Sequence, residues 1–213
     1  MVTPVLLAIG VVACGLLLIA EYRRQTGGIM FWKMVAASVY LALAAPGVET
    51  AYGRLLMTAL ALSWIGDLLL LFDRKPAFFL GGLGGFFLAH IGFTVAMYAY
   101  GWDLVVFVGI YLFLGVLAHV WIWRGWLTHH VAGGMRVAVQ LYLVAILVMV
   151  AAAISVSWQH QAPVFAVAAL LFAVSDVAVA RQQFVEATFE NKIWGLPLYF
   201  SAQYLFAHTV GGP

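Results

Sequence analysis

Apolar runs long enough to cross a bilayer recur along the whole chain, separated by short segments that carry charge, Gly or Pro, and they leave few folds open. About 20 such residues cross the hydrocarbon core as an α-helix. Inside that core every backbone N–H and C=O must be paired within the protein, which helices and closed barrels alone achieve. Barrel strands would alternate apolar and polar residues over about ten positions, and these runs are continuous. The pattern predicts helices over 3–20, 29–45, 51–72, 77–99, 103–123, 135–156, 162–180 and 193–210. The expected fold is all-α: a polytopic transmembrane bundle of eight helices forming one domain over residues 1–213.

Eight spans consume nearly the whole chain, so any chemistry must take place in the membrane. Only 8% of the residues are charged, and the ten Lys and Arg are scattered over loops with a net charge of +2, which gives nucleic acid no footprint. Membrane lipids are the expected surroundings. A single cysteine, Cys14, excludes an internal disulfide or a cysteine-rich metal site. His119, His129, His130, His160 and His208 show no HxxxH or HExxH spacing, so neither a metal nor another cofactor is expected. The first segment lacks a basic n-region and a small-residue cleavage site and reads as a retained helix.

Basic residues set the expected orientation. Arg23, Arg24, Lys33, Arg74, Lys75, Arg124, Arg136, Arg181 and Lys192 fall in or beside the loops of one side, against Arg54 on the other. By the positive-inside rule both termini face away from the cytoplasm, in what is expected to be a bacterial inner membrane.

Two carboxylates interrupt the apolar runs: Asp67 in LSWIGDLLLLF and Asp176 in LLFAVSDVAVA. A charge at such depth costs roughly 2.5 to 3.5 kcal/mol even on the lenient insertion scale, so it reads first as functional. The plainer reading is that each carboxylate accepts hydrogen bonds and locks the bundle. Ser63 lies four residues before Asp67, on the same helical face, and Ser175 directly precedes Asp176. His90 is deep in the fourth helix after a run of glycines, Gly81, Gly82, Gly84 and Gly85, that reads as a close-packing face. In the last helix Pro197 predicts a kink, and Tyr199 and Gln203 share one face. Lys33, early in the second helix, is placed to snorkel or to meet an anionic headgroup. Asp67 and Asp176 are separated by 109 residues, an offset that also pairs Leu62 with Leu171 and His90 with Tyr199. Such spacing suggests a four-plus-four parallel pseudo-repeat about an axis along the membrane normal.

The run SWIGDLLL at 63–70, FFLGGLGGFFLAH ending at His90, the Ser175-Asp176 pair and YFSAQYL at 199–205 together resemble the YhhN family of eight-helix membrane proteins, with Lys33 matching a basic residue early in helix two. Animal members of that family include lysoplasmalogenase. The resemblance implies hydrolysis of the vinyl ether bond of a lysoplasmalogen to a fatty aldehyde and a glycerophospho-headgroup. It carries the catalytic role to Asp67 and Asp176, and makes Lys33, Ser63, His90, Ser175, Tyr199 and Gln203 the expected substrate-binding set. Many bacteria lack plasmalogens, so another lysolipid stands as an alternative substrate.

A vinyl ether resists nucleophiles but is basic at its β-carbon, so its hydrolysis requires proton delivery to carbon and an anion to face the resulting oxocarbenium ion. Two carboxyl groups in one low-dielectric site can divide that work, as they do in glycosidases. The rival reading is a proton-coupled transporter or carrier that uses the buried aspartates as protonation sites.

Overall fold

A computed structural model describes residues 2–73, 75–120, 124, 128–131 and 133–211. Arg74 and the expected end of the fifth helix near 123 lie outside the described residues. Among the described residues eight long helices follow one another: α1 Val2–Tyr22, α2 Thr26–Ala44, α3 Ala51–Leu70, α4 Pro76–Tyr100, α5 Leu104–Leu117, α6 Met135–His160, α7 Val164–Phe184 and α8 Phe189–His208. No strand occurs among the described residues. Short 3₁₀ turns follow α2 and α8, at Ala45–Gly47 and Thr209–Gly211, and a three-residue helical turn, Thr128–His130, lies between α5 and α6.

Local chemistry sets several of these boundaries. The Thr50 side chain accepts from the Gly53 N–H and caps α3, and Asp103 accepts from the Val106 N–H and caps α5. Pro76 opens α4, where its missing N–H would have had no helical partner. The chain leaves α6 through Gln161 in the left-handed region, at φ 53°.

Among the described residues six helices, α1 to α4, α6 and α7, are long and apolar enough to cross a membrane. The apolar helix Leu104–Val120 is shorter. The other exception, α8, carries Glu190, Asn191, Lys192 and Gln203 and packs against α1, α2, α3 and α7, so protein shields much of its polar surface from lipid. It runs continuously through Pro197.

Successive helices form the hairpins α1–α2, α3–α4, α5–α6 and α7–α8, with α3–α4 and α7–α8 the most extensively packed. Glycine allows the close approach in both. A Cβ on Gly85 would lie 3.2 Å from Gly66 Cα, and one on Gly195 would lie 2.5 Å from the Ala178 Cβ. One continuous core, with Leu56, Phe93, Met149, Phe165, Phe172, Phe200 and Phe206 at its centre, runs through the bundle. Residues such as Val105, Phe113 and Val116 of α5 turn outward, as a lipid-facing helix requires. At the basic end, Lys192 Nζ meets Glu21 Oε2 at 2.6 Å and ties the start of α8 to the end of α1.

Candidate active site

Asp67 sits three residues before the end of α3, its side chain 2% exposed. Its neighbours come from α2 and α8. Lys33 Nζ is 3.3 Å from Oδ1. Tyr40 donates its hydroxyl to Oδ2 at 3.2 Å, and Tyr199 donates to the same oxygen at 2.5 Å. Lys33 and Tyr40 are seven residues apart, two turns of α2, and therefore share a face. The lysine turns inward here instead of snorkelling to the interface.

Asp176 lies mid-way along α7 with its side chain 10% exposed. His90 Nε2 of α4 is 3.1 Å from Oδ2, and Tyr142 of α6 donates its hydroxyl to Oδ1 at 3.2 Å. The same phenol oxygen is 3.3 Å from His90 Nε2, so the three groups form a closed triangle. On the other side of the ring, His90 Nδ1 is 3.2 Å from the Met149 Sδ of α6.

These two niches correspond residue for residue. Adding 109 takes Asp67 to Asp176, Lys33 to Tyr142, Tyr40 to Met149 and His90 to Tyr199. Each carboxylate thus receives a side chain from the second helix of its own half and one from the fourth helix of the other half. Both the Asp67–Tyr199 and Asp176–His90 contacts cross between halves, as a two-fold relation between interlocked four-helix units requires. The shared offset expected from the sequence accordingly governs contacts as well as spacing.

Between the niches stands Phe172. Its ring centroid is 4.6 Å from that of His90 and 5.5 Å from that of Tyr199. Phe86 packs on the same ring and on Tyr199, at 6.3 and 5.7 Å. The carboxylates therefore occupy adjoining niches on one aromatic wall, each with its own set of polar partners.

Other residues singled out in the sequence stand differently. Ser63 and Ser175 donate within their own helices, to Ala59 O at 3.2 Å and to Phe172 O at 2.7 Å, and neither has a bond to the neighbouring carboxylate among the described residues. Gln203, fully buried one turn beyond Tyr199, has no hydrogen-bond partner among them for either amide atom. Lys33, expected to snorkel or to meet a headgroup, is committed to Asp67; of the other basic residues on that side, Lys192 meets Glu21 and Arg181 Nε donates to Asn191 Oδ1 at 3.3 Å. No group of three or more His, Cys, Asp or Glu side chains among the described residues is placed to hold a metal ion.

Three members of these niches, Tyr40, Tyr142 and Met149, were not among the expected site residues. A tyrosine or methionine in an apolar helix draws no attention by itself. The signal was the offset: Lys33 and Tyr40, moved by 109, land on Tyr142 and Met149.

Residues 28–210 match the model of the YhhN family, and the chain belongs to that family. No curated protein and no solved structure matches it.

Proposed function

We propose that the chain is an integral-membrane hydrolase that cleaves the vinyl ether bond of lysoplasmalogen-type lysolipids by carboxyl acid–base chemistry. The reading draws on the activity known in the YhhN family, and the observation that carries it is the pair of carboxyl groups within the helical bundle, Asp67 buried and Asp176 nearly so, each with dedicated polar partners. Asp67 receives a lysine and two tyrosines, more than the one or two donors that locking helices together would need, and Asp176 receives a histidine and a tyrosine.

The reaction asks for two functions. A proton is transferred to the β-carbon of the enol ether, and the C=C electron pair forms the new C–H bond. The resulting oxocarbenium ion faces a carboxylate, water adds to its α-carbon, and the water's proton is taken up by the site. The hemiacetal then collapses, its C–O bond to glycerol breaking as the hydroxyl proton passes to the departing oxygen. The products are an aldehyde and a glycerophospho-headgroup, with one water consumed. An aromatic wall beside the reacting carbon offers π-faces to the cation.

The test is aldehyde release from a 1-alkenyl lysophospholipid by the purified protein in detergent micelles. The wild-type chain should release aldehyde, and Asp67→Asn and Asp176→Asn should each lose about 100-fold or more while still folding, since positioned acid–base groups contribute about 10² to 10⁴. Absence of aldehyde from the wild type, or ready turnover by both variants, refutes the reading. The parallel pseudo-repeat favours a second reading, a proton-coupled carrier; that protein would release no aldehyde but would move protons with solute in sealed vesicles.

A further inference from the structure

One polar side chain in the core is left unmet by its protein surroundings, and it stands a single helical turn from the Asp67 niche. We propose that Gln203 holds a water molecule inside the bundle and that this water is the one added to the oxocarbenium carbon; its part in the reaction rests on the function proposed above.

Gln203 is fully buried, and neither Nε2 nor Oε1 has a hydrogen-bond partner among the described residues. Buried polar groups are met by protein or by ordered water, because leaving them unmet is costly. A methionine would fill the same space without that cost. Nor does the repeat demand an amide here. The counterpart 109 residues earlier is Thr94, whose hydroxyl donates to His90 O of its own helix at 2.9 Å.

Packing contacts fix the level at which the amide stands. Along α8, Gln203 falls between Tyr199 and Phe206. Tyr199 packs on Phe86 of α4 with ring centroids 5.7 Å apart, and Phe206 stacks on Phe93 of α4 at 4.4 Å. Gln203 is therefore between two aromatic layers, level with Ala89 and His90. A Cβ on Gly85 would lie 3.2 Å from Leu62 O and one on Gly92 would lie 3.0 Å from the Ala59 Cβ, which brings Ser63 of α3 to the same level. The Asp67–Tyr199 bond agrees: on these antiparallel helices Ser63 is one turn back from Asp67 and Gln203 one turn on from Tyr199. Phe172 reaches both layers, 6.3 Å from Phe86 and 6.0 Å from Phe93, and borders this level from α7.

An amide with N–H and C=O both unmet calls for a group that accepts from one and donates to the other, which is a hydroxyl. The aromatic layers on either side and the complete burial of the amide require a small occupant. Water fits, whereas the glycerol hydroxyl of a lysolipid brings its headgroup with it. Ala59, Ser63 and Ala89 are small and fully buried, and Ser63 Oγ, having donated to Ala59 O, keeps a lone pair for the second hydrogen of the water. Three bonds are the usual number for a buried water. In the reaction an oxygen lone pair of this water forms the bond to the α-carbon, and one of its protons passes to a carboxylate of the site. Gln203 neither gives nor takes a proton; it aligns the water beside the Phe172 ring that faces the cation.

The test has two readouts on the full-length protein. In nanodiscs, with ¹⁵N on the glutamine amides, the Gln203 signals are those lost in Gln203→Met, or in Gln203→Asn should the first variant not fold. The wild-type Gln203 amide should show magnetisation transfer from a slowly exchanging water; contacts with protein groups alone overturn the proposal. The second readout is the fate of the cation with methanol in the assay. Capture by water leads to aldehyde, and capture by methanol gives a mixed methyl acetal of the lysolipid. Proton transfer to carbon comes first, so loss of the held water is read in this ratio better than in the rate. Gln203→Met should raise acetal over aldehyde by about threefold or more, the factor that one ordinary hydrogen bond represents. A packing role would lower the folded fraction and leave the ratio unchanged, and an unchanged ratio overturns the assignment of this water to the reaction. If the water contact is present and the wild type forms no aldehyde, the water site stands and the substrate reading falls. If aldehyde forms without a water contact at Gln203, the proposal falls and the substrate reading stands.

Discussion

Lys33→Met removes the only cation bonded to Asp67 among the described residues, and its consequence can be sized from the geometry. At 3.3 Å and an effective dielectric of about 20, the attraction between the two charges is about 5 kcal/mol. Desolvation of both groups offsets much of that in the intact protein. Breaking a buried pair from one side nonetheless typically costs about 3 to 5 kcal/mol, because the remaining charge is left in a poor solvent. Tyr40 and Tyr199 continue to donate to Asp67, which places Lys33→Met at the lower end, about 3 kcal/mol. Removing the other partner should cost less. In Asp67→Asn the lysine keeps its charge, but its 13% exposure gives the long side chain a route towards the interface, and a loss of about 1 to 2 kcal/mol is expected. The double variant leaves no stranded charge and should be more stable than the sum of the single losses implies, by about 2 kcal/mol. Unfolding in mixed micelles with increasing SDS, followed by tryptophan fluorescence for all four proteins, measures this coupling. Additivity within about 0.5 kcal/mol, the value for independent sites, would refute the pairing.

Packing and orientation yield two more expectations. Gly195→Ala should destabilise the protein by about 2 kcal/mol in the same unfolding assay, because its Cβ would lie 2.5 Å from that of Ala178 and force α7 and α8 apart; Gly84→Ala, with nothing within 4 Å of its new Cβ, should be neutral or slightly stabilising. Alkaline phosphatase fused after residue 213 should be active and a fluorescent-protein fusion at the same point dark, as the excess of basic residues on the opposite side requires; the reverse pattern would refute the orientation.

Helix positions were largely legible because a membrane span advertises itself by length and continuity. α3 begins at residue 51 as expected, and α4, α6, α7 and α8 lie within a few residues of their predicted ends. The last helix, expected over 193–210, starts earlier, at Phe189, where α7 supplies hydrogen-bond partners to Asn191 and α1 supplies the carboxylate of Glu21 to Lys192. The rotation of each helix was much less legible. Spans that are apolar on every side mark no inward face, so the pattern cannot say which polar group meets which. Ser63 shares a helical face with Asp67 by its i, i+4 spacing, yet its hydroxyl returns to Ala59 O, a bond always available within a helix. Tyr40 and Tyr142, by contrast, reach across to the carboxylates, and composition could not distinguish them from tyrosines at the interface. Only the 109-residue offset carried that information, because it constrains two helices at once.

A two-fold frame explains why there are two carboxylates at corresponding positions, but symmetry alone would make them poor partners. Two identical niches would either both favour the anion or both favour the protonated group, whereas adding a proton to carbon and facing the resulting cation needs one of each. The chain departs from symmetry at the residues that decide this. Tyrosine replaces lysine at 142, removing a fixed positive charge; methionine replaces tyrosine at 149, exchanging a donor for an acceptor; and histidine stands at 90 where its counterpart at 199 is tyrosine, bringing in a ring with two nitrogens whose roles depend on each other. The interlocking of the halves then places His90 and Tyr199, the partners that cross between them, on the one Phe172 ring, with the Lys33 charge committed to Asp67 and no lysine or arginine among the described residues bonded to Asp176.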